Sequence, residues 1–124
     1  MVVKTQELWG ASKSKTRPYN PHHVFPKIPA MGSSLAAFIH LAKRHRYRLV
    51  GCMKMGFNSF FVREDAVPNR LNPLFGPHEY DPEGCFRHVC PNWADVLRER
   101  RRAAEKYSWV DPAKALSTAS TIAT

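Results

Sequence analysis

A chain of 124 residues makes one small domain, with little core to spare. Its hydrophobic share of 44% is near the globular norm, and no run approaches the ~18 apolar residues that would span a bilayer. The formal charge of +9 favours nucleic acid, an anionic surface or an acidic partner, yet no nucleic-acid-binding motif accompanies it.

Residues 1–31 read as a proline-rich loop or extended segment. Met1-Val2-Val3 is a candidate strand remnant, and no apolar core of useful length follows it as in a signal peptide. Residues 12–17 are polar and basic, and Pro18, Pro21, Pro26 and Pro29 each remove an amide donor and fix φ.

Residues 32–64 carry the strongest signals and form the expected helix-hairpin core. Ser33 or Ser34 can cap a helix over 33–45 by accepting a first-turn amide. Leu35, Phe38, Ile39 and Ala42 then fall on one helical stripe, and Lys43 to Arg46 suit the negative end of the helix dipole. Two short apolar runs follow, Leu49–Met53 and Ser59–Val62, rich in β-branched or aromatic residues and too short for helices. Gly56 and Asn58 between them are structural turn residues, since both types tolerate positive φ. Phe60 and Phe61 point to opposite faces, which predicts a strand covered on both sides.

Residues 65–112 hold a proline-rich loop and a second helix from Trp93 to about Tyr107. Asn92 is its expected N-cap, and Trp93, Val96, Leu97, Ala104 and Tyr107 lie close to one face. The arginines from Arg98 to Arg102 read as a solvated face, and Trp109-Val110 as a docking anchor. Residues 113–124 are small and polar and form the expected disordered tail.

Chemistry-bearing patterns are sparse. Three cysteines, an odd number, argue against a disulfide framework and suit a reducing, cytoplasmic location. His78, Cys85, His88 and Cys90 are weak metal candidates, because their spacing matches no standard zinc pattern. Cys52 sits inside a strand, where a cysteine behaves as a small hydrophobe. The chain has neither a nucleophile elbow nor a phosphate-binding or dinucleotide glycine loop. No catalytic residue can be assigned.

The segment 31–65 resembles bacterial methyltransferase-like proteins close to the FkbM type. Their pattern runs Tyr-Gly-Ala-Ser-Leu-Ala-Ala, a helix, Gly-Tyr-x-Leu-Val-Gly-Cys, a turn, then Gly-x-Asn-Ala-Phe-Phe-Val-Arg. Gly32, Ser34, Leu35, Ala36, Ala37, Tyr47, Leu49, Val50, Gly51, Cys52, Gly56, Asn58, Phe60, Phe61, Val62 and Arg63 match it. Pro18-Tyr19-Asn20-Pro21 upstream, with Arg98 to Arg101 and Trp109-Val110 downstream, extend the likeness loosely. His45-Arg46 stands where the pattern has Lys-Gly.

The resemblance implies an α/β fragment: the C-terminal helix and antiparallel β-hairpin of a Rossmann-like methyltransferase sheet, then a loop-rich segment and a C-terminal helix. In that fold the final strand runs antiparallel to its neighbours. The S-adenosylmethionine-binding half is not in this sequence, so the chain is expected to hold no cofactor and to be inactive alone. Its partner would be the missing N-terminal half, a second copy or an acidic protein. Two further readings stand beside this one. The first is a basic interaction module contacting nucleic acid or an acidic subunit through Lys43–Arg48 and Arg98–Arg102. The second is a small zinc-supported domain.

Overall fold

In the computed structural model, which describes residues 1–22, 32–53, 58–67, 78–87, 91–112 and 114, the hairpin is the centre of a three-stranded sheet. Strands β1 (Val2–Lys4), β2 (Tyr47–Cys52) and β3 (Asn58–Arg63) lie in the order β1-β3-β2. Strand β3 is antiparallel to both neighbours, with Val2 opposite Phe60 and Leu49 opposite Phe61. The candidate strand at Met1-Val2-Val3 is therefore a real one.

A bulge interrupts β2. Leu49 faces Phe61, but the next partner of Phe60 is Gly51, so Val50 is the extra residue. Without that insertion Leu49 and Cys52 would point to opposite faces. With it, Cys52 comes opposite Ser59 on the same face as Leu49 and Phe61.

Helix α1 (Leu35–Arg44) covers that face. Ser34 is its N-cap, and the Oγ accepts from the Ala37 amide at 3.2 Å and from the Lys15 amide at 2.9 Å. Leu35, Ile39 and Ala42 pack against Leu49, Phe61 and Cys85, with Val3, Phe38 and Phe86 at the margin. The helix ends in Arg46, a non-glycine residue at φ 60°. This is the left-handed position where helices usually place glycine.

Only one face of the described sheet is covered. Phe61 is 1% exposed, whereas Phe60 on the other face is 37% exposed and its cross-strand neighbour Val2 60%. The expectation of a strand buried on both sides therefore holds for one side among the described residues.

Residues 78–87 run along the outer edge of β2. The Tyr80 amide donates to the Leu49 carbonyl at 2.8 Å, Arg48 donates to the His78 carbonyl at 3.0 Å, and Lys43 pairs with Glu79 at 3.0 Å. A 3-10 turn at Pro82–Cys85 ends in a disulfide from Cys85 to Cys52, with Cα atoms 5.6 Å apart. This corrects the reading of unpaired cysteines. An odd count leaves one cysteine over but does not prevent the other two from bonding. The bulge brings Cys52 beneath the turn, at a separation disulfides span. The pairing also removes the argument from cysteine number for a reducing compartment.

A second cluster forms away from the sheet. A 3-10 turn at Glu7–Trp9 packs Leu8 and Trp9 against Ala104 and Leu97 of helix α2 (Pro91–Ala104), together with Trp109. The arginines of α2 are not simply a solvated face. Arg101 donates to the Leu8 carbonyl, and Arg100 lies 3.8 Å from Glu7 and 5.4 Å from the Trp93 ring. Among the described residues no helix is long and apolar enough to cross a membrane.

Candidate ligand-binding groove

Among the described residues, a concavity lies beside the second cluster, between two stretches about a hundred positions apart in sequence. Gly10, at φ 65°, ends the 3-10 turn and lets the chain swing into residues 11–14. The far end of this loop is anchored by backbone bonds. Ser34 donates to the Lys15 carbonyl at 2.8 Å, and Thr16 and Val110 exchange two bonds of 2.9 Å each. The loop thus hangs between fixed points, presenting Ser12, Lys13, Ser14 and Lys15 to one side.

The opposite wall follows α2. The Trp109 indole N–H donates to the Ala104 carbonyl at 2.8 Å, and the Trp109 ring meets Trp9 edge to face at 5.0 Å. Arg17 stacks over Tyr107 and Trp109, 5.4 and 5.6 Å from their centroids, and its Nη1 donates to the Ser108 carbonyl at 2.6 Å. The groove is open to solvent, with a volume of about 670 Å³, and Glu105, Asp111 and Lys114 complete its lining.

Two buried polar atoms here lack a partner among the described residues, the Trp9 indole N–H and the Ser14 hydroxyl. Close by, Glu7 is 6% exposed. Burial pushes its carboxyl above the ordinary range, against the opposing pull of a backbone hydrogen bond, Arg100 and Lys4.

The residues singled out from sequence lie elsewhere. Asn58 opens β3 in extended conformation, and its carbonyl accepts from the Met53 amide at 2.9 Å while its side-chain amide meets the Met53 sulfur at 3.1 Å. It closes the hairpin by hydrogen bonding, with no positive φ. Gly56, His88 and Cys90 lie outside the described residues. His78 contributes its carbonyl to Arg48, and Cys85 is bonded to Cys52. Among the described residues no three His, Cys, Asp or Glu side chains converge on a metal position.

Of the proposed basic surface, Lys43 and Arg48 are engaged at the sheet edge, and Arg98, Arg100 and Arg101 within or beside α2. Sequence reading registered Lys13 and Lys15 only as part of a basic stretch. The local signal was the Ser-Lys-Ser-Lys run beside Trp9, and nothing in it indicated Tyr107 or Trp109 across the groove. Compared with family models, curated proteins and solved structures, the chain matches none.

Proposed function

We propose that this chain is the sheet-closing part of a methyltransferase-like α/β protein and does not catalyse methyl transfer by itself. The strand order carries this reading. With β3 antiparallel to both β1 and β2, the two outer strands run parallel to each other, and α1 lies between them in sequence. A strand, a crossover helix, a parallel strand and an antiparallel return into the gap make the sheet end that the resemblance implies.

Three local features support it. Ser34 of the matching Gly-x-Ser-Leu-Ala-Ala pattern caps α1. Arg46 takes a left-handed conformation at the position where the family pattern has glycine. Val2 and Phe60 lie exposed on the uncovered face, where sheets of this class carry helices.

The expectation that this chain does not bind S-adenosylmethionine rests on its sequence, which carries no Gly-x-Gly-x-x-Gly turn. Calorimetric titration of the purified chain with S-adenosylmethionine is expected to give heats of dilution only. Saturable binding with a defined stoichiometry would overturn the proposal.

A further inference from the structure

We infer that the Cys52–Cys85 disulfide is a latch opened by thiol exchange: a small thiol attacks Cys52, and the strap formed by residues 78–87 leaves the edge of β2. The inference rests on the strap and the bond that fastens it, and is independent of the sheet-closing reading.

The strap is bonded within itself. The Asp81 carboxylate accepts from the Glu83 amide at 3.1 Å and from the Arg87 guanidinium. The Asp81 and Glu83 carbonyls accept from the Gly84 and Phe86 amides at 2.9 and 3.0 Å. Gly84 leaves room for the Tyr80 side chain, since a Cβ there would meet the Tyr80 hydroxyl at 2.8 Å. These contacts travel with the strap when it moves.

Its hold on the rest of the protein is uneven. The 78–80 end is attached by the Tyr80–Leu49 and Arg48–His78 hydrogen bonds and the partly exposed Lys43–Glu79 ion pair. Such bonds contribute little each. An open cavity of about 290 Å³ lies beside this end, and the buried Glu79 Oε1 has no partner among the described residues. At the other end the disulfide fixes Cys85 among Leu35, Ile39, Leu49 and Phe61.

The two sulfurs differ in access. Cys52 is only partly buried at the end of β2, whereas Cys85 is 3% exposed, and exchange proceeds at the sulfur a thiolate can reach. The incoming thiolate bonds to Cys52 Sγ, the Sγ–Sγ bond breaks, and its electron pair stays on Cys85 Sγ. A thiolate is costly among apolar side chains, so Cys85 moves out with the strap and takes a proton from water. A second small thiol then displaces the first from Cys52. The two small thiols become one disulfide and supply the two electrons that leave both cysteines reduced. Departure of the strap frees the Leu49 carbonyl from the Tyr80 amide and bares the edge of β2.

The test treats the oxidised full chain with glutathione under native conditions, quenches with iodoacetamide and maps the adducts by mass spectrometry. A Cys90→Ser variant run in parallel removes the third cysteine from the exchange. Glutathione is expected on Cys52 and the alkyl group on Cys85, at least about tenfold over the reverse pattern. Hydrogen exchange on the reduced chain should accelerate at the Tyr80 amide at least about tenfold more than at the Leu97 and Ala104 amides of α2. The inference is overturned if Cys85 carries glutathione as often as Cys52, or if the bond resists glutathione until denaturant is added. Equal changes at Tyr80 and in α2 would also overturn it, because reduction would then loosen the whole chain and not the strap.

Discussion

Arg46 takes φ 60° immediately after α1, a conformation that costs an L-residue roughly 1–2 kcal/mol through contact between Cβ and the backbone. Glycine has no Cβ and escapes most of that cost, though it loses more freedom on folding. The Arg46→Gly variant is therefore expected to be more stable by about 1 kcal/mol, read as a higher urea midpoint at unchanged slope. A lower midpoint would mean that the Arg46 side chain makes contacts worth more than the strain.

Glu7 is the second residue whose surroundings set a testable sign. Its carboxyl is held above the ordinary range because burial outweighs its hydrogen bond and the nearby Arg100 and Lys4. The folded state thus holds the proton more tightly than the unfolded chain. Stability is highest with Glu7 protonated and falls as pH rises from the ordinary carboxylate range through the raised value. Glu7→Gln removes a charge from this site, so it should flatten that part of the stability–pH profile and raise stability at neutral pH. If the glutamine variant is less stable at pH 7, the pairing with Arg100 outweighs burial.

At the scale of elements, the bulge in β2 and the turn at Pro82–Cys85 act together. The inserted Val50 rotates Cys52 to the core face, and the turn brings Cys85 over it. The bond spans 33 positions, for which unfolded-chain entropy predicts about 3–4 kcal/mol. Reduction, or Cys52→Ser, is expected to lower stability by that order in chemical denaturation. It should also speed hydrogen exchange at the Tyr80 amide, which the strap along β2 protects. Identical denaturation curves with and without reductant would mean that the two sulfurs are not joined.

The elements also differ in how well the sequence announced them. Helix α1 was legible because a serine cap, an apolar stripe and a basic end all agree. Helix α2 was legible in part. It runs over Pro91–Ala104, not from Trp93 to Tyr107, so Asn92 lies inside it and is not its N-cap. Leu97 and Ala104 of the expected apolar face do pack inward. Its inward positions include Leu97, Arg101 and Ala104, and an arginine that donates to a buried carbonyl looks like surface in any hydrophobic pattern. The cysteine pair was misread from the odd cysteine count, and the bulge that turns Cys52 toward Cys85 is marked by no residue type.

Among the described residues, two apolar clusters are joined through residues 15–16. Lys15 bonds to Ser34 at the cap of α1, and Thr16 bonds to Val110 beyond α2. This ladder lies between the helix-hairpin core and the tryptophan cluster, and it also fixes one end of the groove loop. The exposed face carrying Val2 and Phe60 belongs to the sheet, while the lysine-lined groove belongs to the tryptophan cluster, so the two candidate surfaces can be tested separately.

By itself the sequence determined what local rules govern: the first helix with its cap and the two hairpin strands. Such features depend on neighbours within a few positions, where periodicity and backbone preference act directly. Only the tertiary structure decided that β1 returns to flank β3, that Cys52 meets Cys85, and that Trp9, Lys13 and Lys15 face Tyr107 and Trp109. Those pairings join positions 33 to about a hundred residues apart. Packing of whole elements selects them, and no local pattern encodes that packing.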